Sequence, residues 1–152
     1  MRISVRSAVL VLALAFAPLP SHAADEFVLY KDPNCGCCGD YAKVLEKEGF
    51  QVRVKETAAI DALRRMAGVP DKLASCHTMT VGKYVVEGHV PVAAVRKLLA
   101  EKPDIRGIAL PGMPQGSPGM TGVKEGPFVV YEVGGYEAGS RAALAPKVFM
   151  TE

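Results

Sequence analysis

The stretch FVLYKDPNCGCCGDYAKVLEKEG, residues 27–49, decides the fold. Phe27 to Tyr30 is a short apolar, β-favouring run that stops at Asp32-Pro33-Asn34, a strong turn signal. A strand therefore enters the cysteines Cys35, Cys37 and Cys38. From Asp40 to Glu48, Tyr41, Val44 and Leu45 take positions i, i+3 and i+4, while Lys43, Glu46, Lys47 and Glu48 fill the other face and Gly49 stops the pattern. A helix leaves the cysteines. Cys35 and Cys38 form a C-x-x-C pair between strand and helix. Unpaired N–H groups at a helix N-terminus favour a thiolate, the species that exchanges disulfides and binds soft metals.

Working outward, Gln51 to Lys55 alternates polar residues with Val, and Ala59 to Ala67 carries Ile60, Leu63 and Met66 at three-residue steps before Gly68 and Pro70 break it. Met66 reads as core filling on that helix, and the pairs Arg64-Arg65 and Arg96-Lys97 as solvated helix faces. His77 to Val81 and Tyr84 to Glu87 are β-prone and joined by Gly82-Lys83, a hairpin signature. Pro91 is suited to the first helical position, and Val92, Val95, Leu98 and Leu99 give an amphipathic helix ending near Lys102-Pro103. The order β-α-β-α-β-β-α predicts an α/β fold over residues 24–103, a thioredoxin-like four-stranded mixed sheet flanked by helices.

Beyond Pro103, Ala109 to Gly126 is dense in Pro and Gly with no period, so a long loop is expected. Phe128 to Val133 reads as a strand, and a weakly patterned tail returns to the body near Val148 and Phe149. Residues 104–152 have too few apolar groups to fold alone. They are expected to be a C-terminal loop-and-strand extension packed on the first domain. Pro-Gly-Met occurs twice in it, at 111–113 and 118–120.

The 152 residues are 49% hydrophobic and 22% charged, which excludes collagen-like, low-complexity and polytopic membrane classes. At the N-terminus, Arg2 and Arg6 precede an apolar run from Ala8 to Ala17, then Pro18, Pro20 and the small-residue site Ser21-His22-Ala23. That is the pattern of a signal peptide, residues 1–23, cleaved after Ala23. The run is about ten residues, short of the roughly 20 that span a bilayer. The mature chain keeps 16 basic and 16 acidic residues, a balance without the electrostatic footprint of a nucleic-acid or anionic-lipid binder. An exported monomer with no nucleic-acid or membrane partner is expected.

In an exported chain, four cysteines default to two structural disulfides. Three of them within four residues staple almost no chain, so the cluster reads as chemical. A simple dithiol oxidoreductase has no use for Cys37, which would invite wrong pairings. Adjacent thiolates instead suit a bridged metal site, and soft sulfur selects Cu(I), Zn(II) or iron–sulfur centres. Cys76 precedes the third strand, which begins near the C-x-x-C loop in the expected fold. A lone Cys is commonly a small buried hydrophobe, but the polar run Ser75-Cys76-His77-Thr78 argues against that role here. His77 and His89 are the only histidines after the leader, and either alone fits a solvated or hydrogen-bonded role. His77 is the stronger ligand candidate because it adjoins Cys76. Met113 and Met120 follow Pro-Gly in a loop that offers no strand or helix face to explain them, and their thioethers match Cu(I); the alternative is packing on the domain surface. No phosphate-binding glycine fingerprint, G-x-S-x-G, H-E-x-x-H or acidic calcium loop is present.

Cys35-Gly36-Cys37-Cys38, Ser75-Cys76-His77-Thr78, Glu87-Gly88-His89-Val90-Pro91 and the tract from Leu110 through Met120, in this order, resemble the CopG-type periplasmic copper-resistance proteins of Gram-negative bacteria. The resemblance covers nearly the whole mature chain. It implies a periplasmic, thioredoxin-like protein whose C-terminal extension contributes to the metal site. It also implies a multinuclear copper cluster that interconverts Cu(I) and Cu(II) ahead of efflux, with periplasmic copper efflux or chaperone proteins as partners. Carried over by motif, Cys35, Cys37 and Cys38 are bridging thiolates, Cys76 is a further thiolate, His77 or His89 are terminal ligands, and Met113 and Met120 come from the extension. The expected function is a copper-binding redox protein. If it turns over, it is a copper oxidoreductase that transfers one electron at copper. Two rivals remain: a non-catalytic Cu(I) metallochaperone or sequestration protein, and a thiol–disulfide oxidoreductase with Cys35 as nucleophile and Cys38 as resolving thiol.

Overall fold

The computed structural model describes residues 26–134 and 146–152; the expected leader, 1–23, lies outside the described residues, as does part of the tail. The elements are β1 (Phe27–Lys31), α1 (Gly36–Lys47), β2 (Val52–Glu56), α2 (Ile60–Met66), β3 (His77–Val81), β4 (Tyr84–Glu87), α3 (Val92–Glu101), β5 (Gly107–Ala109), β6 (Val129–Val133) and β7 (Val148–Thr151), with a short 3-10 turn at Asp71–Leu73. The expected order of strands and helices through α3 is found. Helix α1 begins earlier than the Tyr41 periodicity suggests, so Cys37 and Cys38 form its first turn and Cys35 its cap.

The α/β class holds, but the sheet is not four-stranded. Seven strands run in the order β2-β1-β3-β4-β5-β6-β7. The four expected strands lie side by side, β2 parallel and β3 antiparallel to β1, with β4 antiparallel to β3. Helix α3 then returns the chain so that β5 pairs in parallel with β4, and β6 and β7 continue the sheet in antiparallel fashion. Strand Tyr84–Glu87 is therefore interior, paired on both sides. Strand β5 is three residues long, too short for a period of two to show. Gly107 is required there, because a Cβ at that position would overlap the Val85 backbone.

Phe27 and Leu29 of β1, Met79 and Val81 of β3, Tyr41 and Leu45 of α1, Val95 and Leu98 of α3, and Ile108 and Val130 form the main core. Val69, Leu73, Val85, Ala109 and Val133 form a smaller cluster. Val85 and Val86 fall in different clusters, as alternation along a strand requires, so the two clusters lie on opposite faces of the sheet. Two expectations fail on α2. Met66 is 85% exposed rather than core, and Arg64 is buried rather than solvated. The helix is two turns long and is held to the sheet by a buried ion pair, so its threefold apolar spacing does not report its packed face.

Candidate metal centre

Sheet register brings the sulfurs together. Lys31, the last residue of β1, pairs with His77, the first of β3, so the chain entering the cysteine loop runs beside Cys76. Lys31 is buried, and its ammonium donates to the carbonyls of Asp32 (3.0 Å) and Pro33 (3.2 Å) while pairing with Glu56 (3.2 Å). The Asp32 carboxylate accepts from the Asn34 amide, and the Cys35 amide donates to the Asp32 carbonyl. Pinned in this way, the loop delivers Cys35, Cys37 and Cys38 onto the first turn of α1.

The four cysteine Sγ atoms all lie within 4.8 Å of one another. Cys35 and Cys38 are joined in a disulfide, whereas Cys37 and Cys76 are free. Cys37 Sγ is 3.5 Å from Cys35 Sγ. Cys38, fully buried, has its sulfur 3.8 Å from the Cys76 carbonyl oxygen. Cys76, His77 and His89 form a second donor group of the same compactness, sharing Cys76 with the first. Cys76 Sγ is 2.9 Å from His89 Nε2 and 3.3 Å from His77 Nδ1. Both imidazoles are inaccessible to solvent, with their rings 4.9 Å apart and nearly perpendicular. Tyr41 packs its ring at 4.9 Å from His77 and 5.5 Å from His89, and its hydroxyl donates to the Val90 carbonyl at 2.9 Å.

His89 is oriented from the extension. Its Nδ1–H donates to the Pro118 carbonyl at 2.7 Å, which leaves Nε2 with its lone pair facing Cys76. Among the described residues, His77 Nε2 is buried without a hydrogen-bond partner, an orphan position of the kind that calls for a ligand or water. Burial pushes His77 down to about 3, with His89 adding to the effect. Burial also lowers His89, partly opposed by the bond to Pro118. Both rings are therefore neutral at pH 7 and hold lone pairs for a metal. The Cys76 thiol is pushed up to about 12, first by burial and then by neighbouring Cys37, so an incoming cation must displace its proton. Two free thiols and two neutral imidazoles, joined by Cys35 and Cys38 when their bond is reduced, fit a soft cation and suit a hard one poorly.

The methionines are placed differently from each other. Met113 is about half exposed and lines a cavity with Gln115, Glu125 and Phe128, in which no cysteine or histidine takes part. Met120 is half-buried and follows Gly119, whose Cα packs on the backbone of Cys37 and Tyr41. The Pro118-Gly119-Met120 copy of the repeat thus closes over the first turn of α1, and the Pro111-Gly112-Met113 copy sits beside Ser75. Sequence reading missed Arg64, Glu87 and Tyr41. The one available signal was an acid, Glu87, ending the apolar run Tyr84-Val85-Val86 directly before Gly88-His89.

The family described as "Protein of unknown function, DUF411" matches residues 73–120, the segment holding Cys76, His77, His89, Met113 and Met120. No curated protein matches. Among solved structures, "Copper resistance protein copG- Form 2" is similar at 37% identity with a TM-score of 0.72, covering 84% of this chain and 98% of that one. "Copper resistance protein copG- Form 1" gives the same identity and TM-score over 85% and 98%. The chain belongs to the CopG family. In this CopG chain the cysteines stand where they can bind a metal ion. No helix among the described residues is long and apolar enough to cross a membrane.

Proposed function

We propose that this protein is a periplasmic copper-binding redox protein of copper resistance, exported by residues 1–23 and acting as a monomer. The observation that carries the reading is the convergence of four sulfurs within 4.8 Å, with His77 and His89 meeting Cys76 from its other side. Cys35, Cys37, Cys38 and Cys76 would bridge a multinuclear copper centre once the Cys35–Cys38 bond is reduced, with His77 and His89 as nitrogen ligands. Residues 24–103 are taken as a thioredoxin-like core, and residues 104–152 as an extension that contributes Met113 and Met120. Bound copper supplies a one-electron change between Cu(I) and Cu(II); thiolate and thioether favour the first, imidazole tolerates the second. The protein's own contribution is a buried pocket, imidazoles already neutral, and a carbonyl that fixes the His89 tautomer.

The Cys35–Cys38 disulfide at a helix N-terminus favours a second reading, a thiol–disulfide oxidoreductase. Metal analysis with absorption spectra, on protein isolated in air and again without oxygen, separates these readings. Bound copper that oxidises reversibly and stoichiometrically is the expected result, whereas tightly held Cu(I) that does not reoxidise would indicate a carrier. In the Cys76→Ser variant most copper binding should be lost with the fold intact. Unchanged copper content there would favour the oxidoreductase.

A further inference from the structure

Behind Cys76 lies a buried ionic clamp with no part in holding copper directly. Glu87, at the end of β4, is fully buried. Its Oε1 accepts from Arg64 Nε at 2.6 Å and from the Ser75 amide at 2.8 Å, and its Oε2 accepts from the Thr78 hydroxyl at 2.6 Å. Arg64, on α2, also donates to the Ser75 carbonyl at 2.5 Å and to Asp61 at 2.7 Å. The Ser75 hydroxyl donates to the Gly112 carbonyl, and the Gly112 amide donates to the Ala74 carbonyl at 3.0 Å.

Every polar group of the residue before Cys76 is thus committed, two to the Arg64–Glu87 pair and one to the extension. Gly88 makes this possible, because a Cβ there would collide with the Ser75 side chain and the Leu110 carbonyl. Glu87, Gly88 and His89 are consecutive, so the carboxylate that fixes Ser75 is carried on the same short segment as the imidazole that meets Cys76. A guanidinium spans both Ser75 and Glu87 at once because of its planar fork; an ammonium on a flexible stem does not.

We infer that Glu87 and Arg64 are positioning residues for the metal centre: through Ser75 they fix Cys76 against His89 and tie the Gly112 loop to the same point. The inference deepens the copper reading and rests on it. Outer partners that orient metal ligands typically alter affinity 10–100-fold when removed, and a shift of that order is expected here.

The test uses the mature chain carrying Glu87→Gln and, separately, Arg64→Lys. Cu(I) affinity is read by competition with a chromophoric chelator, alongside the copper–thiolate absorption band and the thermal midpoint. Ile108→Val, at a buried core position that is neither a candidate ligand nor a clamp residue, serves as a control for lost packing. Both clamp variants should bind Cu(I) at least tenfold more weakly with a shifted absorption band, and Ile108→Val should do neither. Affinity within twofold of wild type, or a loss no greater than that of Ile108→Val, would overturn the inference. Amide exchange at Ser75 and Gly112 in the metal-free protein adds an independent arm. Faster exchange in Glu87→Gln supports the clamp, and unchanged exchange refutes it. A wild type that binds no Cu(I) would sink the copper reading, while the exchange result would still decide the clamp.

Discussion

The two sides of the candidate centre are built on opposite principles. On the α1 side, three sulfurs occupy one helical turn and their partners are one another: Cys35 bonds Cys38, and Cys37 lies 3.5 Å from Cys35. On the β3–β4 side, one sulfur and two imidazoles are fixed by groups that are not donors, namely Pro118, Tyr41, Ser75 and the Arg64–Glu87 pair. The first side changes its donor set by making or breaking a covalent bond. The second is assembled with that bond in place. In the copper reading, breaking the bond adds two sulfurs to a donor group already assembled.

The sharpest way to break that contrast is to change the redox state of the α1 side alone. With Cys35–Cys38 bonded, two of the four sulfurs leave the donor set, while Cys76, His77 and His89 remain grouped. The oxidised chain should retain no more than about half the Cu(I) of the fully reduced chain, since thiolate is the principal soft donor. Metal analysis after gel filtration of both forms measures this. Equal copper in both would mean that Cys35 and Cys38 contribute nothing beyond the remaining donors.

The α1 side was legible in the sequence because it is local: strand, turn, C-x-C-C and helix follow within residues 27–49, and helix geometry does the rest. The β3–β4 side was only half legible. The expected strand order put Cys76 near the C-x-x-C loop, as found, but the meeting of His89 with Cys76 follows from the pairing of Thr78 with Glu87, which no local period encodes. Arg64 was misread for a related reason: its partner lies 23 residues away on a strand. Strand β5 escaped notice because pairing with β4, rather than side-chain pattern, defines it.

A smaller effect sharpens the claim that the β3–β4 imidazoles are held neutral. The unfolded chain takes up a proton at His77 near its ordinary value of 6.5, whereas the folded chain does so only near about 3. Below 6.5 the unfolded state binds more protons, so the contribution of neutral His77 to stability is complete above that value and is lost as pH falls toward 3. Each unit is worth about 1.4 kcal/mol at most, so the metal-free protein should lose roughly a few kcal/mol between pH 6.5 and 4. Cys76 acts at the other end: its raised value makes burial of the neutral thiol increasingly unfavourable above pH 9. Denaturant unfolding across pH checks the acid limb, which should be visibly shallower in His77→Gln. An unaltered slope in that variant would assign the limb to another group.

The smallest expected effect concerns the seam between the two sides. Gly119 has φ +80, and a Cβ there would approach the Tyr41 amide nitrogen to 2.5 Å and the Cys37 carbonyl oxygen to 3.0 Å. Gly119→Ala therefore adds a left-handed backbone cost of about 1–2 kcal/mol and wedges the turn away from α1. The neighbouring Pro118 carbonyl, which holds His89 Nδ1, must move with it. Gly116 makes a matched control: its φ is +73, but a Cβ there would meet Lys124 within the extension itself. Both alanine variants should lose similar stability in thermal unfolding, but only Gly119→Ala should also weaken Cu(I) binding, by about tenfold. Equal binding in the two variants would mean that the extension merely covers the site. Weaker binding in Gly119→Ala alone would mean that the hand of the extension on His89 keeps the β3–β4 donors turned toward the cysteine trio.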